Sequence, residues 1–262
     1  MPTIRMILEK SCVGKFWFTI GGEIEYEQSL EEAAMSKLPE ETGHKVDEVT
    51  SELVLNGPGT VLYDVFSGIG PFSIPAAVCG TSVVLANDLN PDCYYWLNEN
   101  IRINRKARNI STYNMDAINF IQEILGSSLE KVWLDFIRGE SFRRVLVLMN
   151  LPASAIEFLP CFIGICSVGM KKTYIEASEC ARNLNLSMRD LIPVVYCYCF
   201  AQKCADDSDA IREITDAIHE KFGGRGIDIL AIRRIRDVSP SKLMFCCEIH
   251  LTYSVLFDDT VI

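Results

Sequence analysis

The chain contains no Cys-x-x-Cys pair and its three histidines are scattered, so a structural zinc site is not what organises it, and no metal is expected. It also lacks a long apolar run. The stretch 191–200 is too short and too interrupted to cross a bilayer, so no membrane partner is expected. Residues 1–10 do not combine a charged start with an apolar block of secretory length, and an intracellular protein is expected. In that compartment eleven cysteines read as small buried apolar residues rather than disulfides, and the close pairs Cys197/Cys199 and Cys246/Cys247 lie in strand-like runs. Cations are the minority: 25 lysines and arginines face 35 acids, a net charge of −10, which at first argues against nucleic acid. The deficit is concentrated, however. Residues 23–52 hold ten acids and two lysines, leaving a net −2 for the rest. Basic clusters stand in that remainder: Arg102, Arg105, Lys106 and Arg108; Lys171 and Lys172; and Arg233, Arg234 and Arg236. Charge alone leaves each of them open between a solvated face and an anion-binding one.

There is no repeat and no low-complexity tract. Residues 1–55 are acidic and weakly patterned, and a boundary is expected there, with one domain over 56–262. A β-rich run at 60–66 is followed by helical pattern at 71–78 and a second β run at 82–87. Asn90-Pro91 opens a helix, with Asn90 as its cap. Strands are predicted at 110–114, 144–149 and 194–200, with a helix over 117–125 and a polar segment from there to 142. Ile211, Ile214, Ile218 and Phe222 share a helical face closed by Gly223-Gly224. Two long β runs, 227–235 and 243–253, end the chain as a hairpin. Alternating β and α elements predict an α/β, Rossmann-like fold with a mostly parallel sheet, helices on both faces, and an antiparallel strand added at the edge by the hairpin.

In such a sheet ligands bind beyond the carboxyl ends of the strands. Three acids fall there: Asp64 closes the first strand, Asp88 the second, and Asp116 follows the third. Between the first strand and its helix, "FSGIGPFS" supplies Gly68 and Gly70 for close backbone approach, and an acid ending the second strand is placed to hold ribose hydroxyls. The loop is not that of a dinucleotide fold, because Ser73 stands where the third glycine belongs and Pro71 removes an N–H that would serve a pyrophosphate. S-adenosylmethionine carries no phosphate and loses nothing by this. After the fourth strand, Asn150-Leu151-Pro152 offers a side-chain amide whose direction is fixed by the following proline. A target base could be held there, and the alternative is a capping asparagine before a helix.

Six segments, "LYDVFSGIGPFSIPAA", "NDLNPDCYYWLNENIRIN", "YNMDAINFI", "VLVLMNLPASAIEFL", "YCYCF" and "IRDVSPSKLMFCCEIHL", occur in this order. Over about residues 46–253 the chain resembles the eukaryotic and archaeal tRNA (guanine-37 N1)-methyltransferases, class I enzymes acting beside the anticodon. The resemblance implies a seven-stranded, mostly parallel sheet with a C-terminal antiparallel hairpin strand. It implies S-adenosylmethionine held by Asp64, Phe66, Gly68, Gly70, Asp88, Leu89, Asp116 and Ala117, with Asn150 and Pro152 beside it. Guanine N1 carries a proton that a base must remove before methyl transfer. Glu48, sixteen residues before Asp64, matches the family's glutamate by spacing, the alternative being a solvated acid in an acidic run. The partner implied is the tRNA anticodon stem-loop, met by Arg102, Arg105 and Lys106, with the protein a monomer. The family's small N-terminal tRNA-reading domain has no counterpart, so the expectation is an N-terminally truncated member whose residues 1–55 are a remnant. The compartment expected is the cytoplasm, with mitochondrial matrix and nucleus also fitting the family. Two other readings stay open: the related wybutosine-pathway aminocarboxypropyl transferase, and a catalytically impaired remnant that keeps cofactor and RNA affinity.

Overall fold

A computed structural model describes residues 59–79, 82–140, 144–203 and 206–259. It contains seven strands in the order β3-β2-β1-β4-β5-β7-β6, and the chain divides into two compact units, Met1–Met115 and Asp116–Ile262. The domain boundary expected near residue 55 lies outside the described residues. No helix among the described residues is long and apolar enough to cross a membrane.

In the first unit β1 (Thr60–Asp64), β2 (Ser82–Asn87) and β3 (Ile110–Tyr113) are parallel neighbours. All five residues of β1 are buried, as a run of β-prone residues covered on both faces requires. Between the strands lie α1 (Ser73–Cys79) and α2 (Pro91–Ile103). α2 begins as predicted, with the Asn90 side chain accepting from the Asp92 N–H and Pro91 in its first turn. α1 starts later than the sequence pattern implied, because the Gly70-Pro71 turn occupies residues 71 and 72.

The second unit opens with one continuous helical rod in three parts. α3 (Ala117–Asn119) runs into a π-helical turn (Phe120–Leu125) and then α4 (Gly126–Ile137). This corrects the sequence reading, which ended the helix at Leu125. Buried residues recur at Ala117, Ile121, Leu125, Leu129 and Trp133, in steps of four. Such steps overshoot an α-turn's 3.6 residues, and the wider π turn absorbs the excess. Gly126-Ser127-Ser128 looks like a break, yet both serine hydroxyls donate back to helix carbonyls. Gly126 is needed for another reason: a Cβ there would lie 2.7 Å from the Ile165 carbonyl oxygen.

α5 (Met170–Asn183), which the sequence reading did not recognise, packs against α4 through Tyr174, and Trp133 meets that ring edge-on at 5.1 Å. The Trp133 indole N–H donates to the Leu191 carbonyl at 2.9 Å. β4 (Arg144–Met149) and β5 (Val194–Gln202) are parallel. After α6 (Asp207–Lys221) come β6 (Asp228–Ser239) and β7 (Lys242–His250), followed by the short α7 (Tyr253–Leu256). β7 pairs antiparallel with both β5 and β6, so the reversed strand is inserted between them and β6 takes the edge. Cys197, Cys199, Cys246 and Cys247 are buried in this ladder, and the Cys199 and Cys247 sulfurs lie 3.8 Å apart, too far for a bond.

Replacing Gly126 by valine is expected to cost about 1–3 kcal/mol through overpacking against the Ile165 backbone. Ser127→Ala, on the exposed side, should stay within about 0.5 kcal/mol of wild type. Denaturant midpoints at unchanged m-value check both.

Candidate functional site

In the first unit the carboxyl end of β1 carries a buried acid. The Ser73 hydroxyl donates to Asp64 Oδ2 at 2.6 Å, while Asp64 Oδ1 and the buried Ser67 hydroxyl have no hydrogen-bond partner among the described residues. Burial pushes the Asp64 carboxyl up to about 7; the Ser73 hydrogen bond opposes this and the charge of nearby Asp88 adds to it. A buried acceptor left unpaired is expensive, so an orphaned oxygen marks a place for a donor from outside the chain.

The loop above it is a tight turn closed by the Gly70 N–H donating to the Ser67 carbonyl at 2.9 Å. Gly70 has φ +96°, and a Cβ on it would sit 2.6 Å from Leu97 Cδ1 and 2.8 Å from Ile74 Cδ1, so conformation and space both demand glycine. Gly68, at φ +53°, would meet nothing within 4 Å. The requirement there is backbone conformation alone, and the face above Gly68 is open. Asp88 locks this loop: its Oδ2 accepts from the Gly68 N–H at 2.8 Å and its Oδ1 from the Asn90 N–H at 2.9 Å. Burial raises its pKa, against the two N–H donors, which lower it. Each oxygen keeps a lone pair for a further donor. Beside it Leu89 is 65% exposed, and Phe66 is half-buried.

Three carboxamides that sequence reasoning did not single out hold the arrangement. Asn87 is buried. Its Nδ2 donates to the Val65 and Met115 carbonyls and its Oδ1 accepts from the Met115 N–H, joining the ends of β1, β2 and β3. Asn114 donates to the Asp88 and Leu89 carbonyls, and Asn100 reaches from α2 to the Ile69 carbonyl at 3.1 Å. The usable signal was an asparagine at a position otherwise reading as buried strand, since a buried carboxamide needs several partners.

In the second unit Asp116 caps α3, its Oδ1 accepting from the Ile118 N–H at 2.8 Å. Ala117 is buried and Ile118 is exposed. After β4, Asn150 is half-buried and its side chain makes no hydrogen bond among the described residues. The following turn closes without it, through the Ser154 and Ala155 N–H groups donating to the Leu151 carbonyl. Asn150 therefore does not cap the 3-10 turn Ala155–Phe162, which disposes of the capping alternative. The Pro152 carbonyl accepts from the Phe200 N–H at 3.2 Å, tying this turn to β5. Glu48 lies outside the described residues.

The basic clusters differ. Lys171 pairs with Asp259 and Lys172 with Glu176; Arg233 pairs with Glu248, and Arg234 with Asp207 and Asp237. Arg102 pairs with Glu99 at 2.8 Å. Arg105, Lys106 and Arg108 are exposed and make no ion pair among the described residues.

A mixed sheet with one reversed strand, a glycine turn after β1 and an acid after β2 defines a Rossmann-like class I methyltransferase domain. The TRM5/TYW2 methyltransferase domain matches residues 44–179, and the chain belongs to that family. It is 33% identical over 204 residues to a mouse tRNA (guanine(37)-N(1))-methyltransferase, covering 78% of this chain and 36% of that protein. To the corresponding protein of Pediculus humanus subsp. corporis it is 36% identical over 207 residues, 77% of this chain and 40% of the other. The chain thus spans little more than a third of the length of these relatives. Among solved structures, wild-type Trm5b of Pyrococcus abyssi superposes with a TM-score of 0.50 at 22% identity, covering 86% of this chain and 52% of that one, a likeness of fold.

Between about pH 4 and 7 the folded state retains an Asp64 proton that the unfolded chain has lost. Stability is therefore expected to fall as pH rises through that window and then to level. Asp64→Asn should remove most of the fall and leave the variant the more stable form at pH 8, as read by denaturation at pH 5 to 8.

Proposed function

We propose that this chain transfers the methyl group of S-adenosylmethionine to N1 of the guanine at position 37 of tRNA, acting on the anticodon stem-loop. The observation that carries the reading is the pair of acids under an open glycine turn, one of them with an orphaned buried oxygen. Two carboxylates repel a pyrophosphate and favour a cationic nucleoside, and Pro71 offers no N–H to an anion. The names of the curated relatives point the same way.

When bound, S-adenosylmethionine supplies a methyl group on a cationic sulfur. Asp88 accepts from the ribose hydroxyls with its remaining lone pairs, and Asp64 Oδ1 accepts from the ammonium group. Leu89 offers an apolar surface to the adenine ring. Gly68 and Gly70 keep side-chain atoms off the cofactor, with Phe66 beside them; Asp116 and Ala117 contribute at the start of α3. The Asn150 carboxamide, with Pro152 limiting its backbone, hydrogen-bonds the guanine edge and holds N1 in line. Glu48 takes the N1 proton, because a protonated N1 has no lone pair to attack with. Asn150 also steadies the charge that develops at O6. The protein acts as a monomer in the cytoplasm, the mitochondrial matrix and nucleus being the other compartments that fit.

Calorimetry with S-adenosylmethionine should show binding to wild type and at least tenfold weaker binding to Asp88→Ala, which loses two hydrogen-bond acceptors. Asn150→Ala should leave cofactor affinity unchanged and lower kcat on a guanine-37 transcript about 10- to 100-fold. Mass analysis of the product nucleoside separates methyl from aminocarboxypropyl transfer. Failure of wild type to bind the cofactor overturns the reading, and binding without turnover leaves a cofactor-holding remnant.

A further inference from the structure

The outer side of α2 is where unpaired positive charge and an exposed aromatic ring come together. Tyr95, Glu99 and Arg102 are spaced four and three residues apart, which places them along one side of the helix, and the chain leaves helical conformation at Asn104, just before the basic turn. Tyr95 is 57% exposed, and its ring is braced edge-on against Trp96 at 5.2 Å. The guanidinium of Arg102 is already engaged, with Nε and Nη2 both donating to Glu99 Oε2.

Beyond the helix the chain alternates. Asn104 and Ala107 are buried, fixed by the Asn104 side chain donating to the Asn100 carbonyl at 2.7 Å and the Ala107 N–H donating to the Asn104 carbonyl at 2.8 Å. Arg105 and Lys106 fall between these anchors, Arg108 follows the second, and all three are exposed. A fixed turn therefore holds outward three cations that make no ion pair among the described residues, on a chain whose net charge is −10. That is the reverse of the other two basic clusters, which contain several ion pairs.

We infer that this side of α2 is an RNA-contacting surface in which Arg105, Lys106 and Arg108 meet phosphates and Tyr95 stacks on an unpaired base, with Arg102 held back by Glu99. The inference deepens the proposed function and rests on its RNA substrate. Tyr95 and the end of α2 are about 12 Å apart along the helix axis, a distance an extended single strand covers in a few nucleotides. Cations alone bind any polyanion, whereas an exposed, braced aromatic ring next to them is the arrangement that single-stranded nucleic acid uses. Arg108 and Tyr95 thus join the contact set, and Arg102 becomes a lesser member of it.

The test is binding of a fluorescent anticodon stem-loop RNA to the full chain over a range of salt concentrations, with cofactor calorimetry on the same proteins. Tyr95→Leu should weaken RNA binding roughly 5- to 100-fold with an unchanged salt slope, and Tyr95→Phe should bind within about threefold of wild type. The triple variant Arg105→Ser, Lys106→Ser, Arg108→Ser should reduce the salt slope by about 2, while Arg102→Ser reduces it by well under one unit. Cofactor affinity should be unchanged throughout. RNA binding that is insensitive to both Tyr95→Leu and the triple variant overturns this surface and leaves the proposed reaction standing, whereas loss of cofactor binding in wild type strikes the reaction instead. An acidic peptide that displaces the RNA at equal charge concentration would assign the surface to a protein partner and likewise overturn the inference.

Discussion

A carboxyl group sealed at the end of a parallel strand, with one oxygen unpartnered among the described residues, is the costly feature on which the first unit turns. Among the described residues Asp64 has a single hydrogen bond, from Ser73, and a second acid close enough to raise its pKa further. Such a group is tolerated by staying protonated, in which case it is neutral, or by being met with positive charge. In the proposed function a cationic nucleoside supplies the donor that Oδ1 lacks among the described residues. The glycine turn above keeps side-chain atoms out of the approach, at Gly70 because packing forbids them and at Gly68 because backbone conformation does.

The geometry is maintained mostly by side-chain amides acting on backbone groups. Where parallel strands end, their last N–H and C=O groups lose ladder partners and need others. Asn87 serves three such groups at once, Asn114 two and Asn100 one, so the loops after β1 and β2 are held from beneath while their upper faces stay available. α2 does two jobs in consequence. Its inner side carries Asn100 and Leu97 against the glycine turn, and its outer side leaves Tyr95 exposed.

Strand positions were largely legible. β2 and β4 occupy the residues expected of them, because β-branched and aliphatic runs bounded by polar turns leave few alternatives. The Asn90-Pro91 helix start was equally plain, since a cap and a proline are local requirements. What escaped notice depended on distant partners. Gly126 reads as a helix breaker until the Ile165 carbonyl is seen against it, and α5 was passed over although its apolar residues fall at helical spacing. At the candidate site Asp64, Gly68, Gly70 and Asp88 were legible as strand-end acids and turn glycines; the structure bonds Gly68 directly to Asp88, closes the turn from Gly70 to Ser67, and pairs Asp64 with Ser73. The ion pairing that separates Arg102 from Arg105 and Lys106 was not legible, because a charge run does not announce which member has a local counter-ion.

By itself the amino-acid order determined the alternation of strands and helices, the acids at strand ends and the glycine turn, all of them consequences of periodicity and local backbone preference acting over a few residues. Only the tertiary structure decided that β7 is inserted between β5 and β6 and, among the described residues, that Asp64 keeps an unmet oxygen, that Asn150 caps nothing and which cations make no ion pair. Those outcomes depend on burial and on hydrogen-bond partners supplied from elsewhere in the chain, and no local window of sequence contains them.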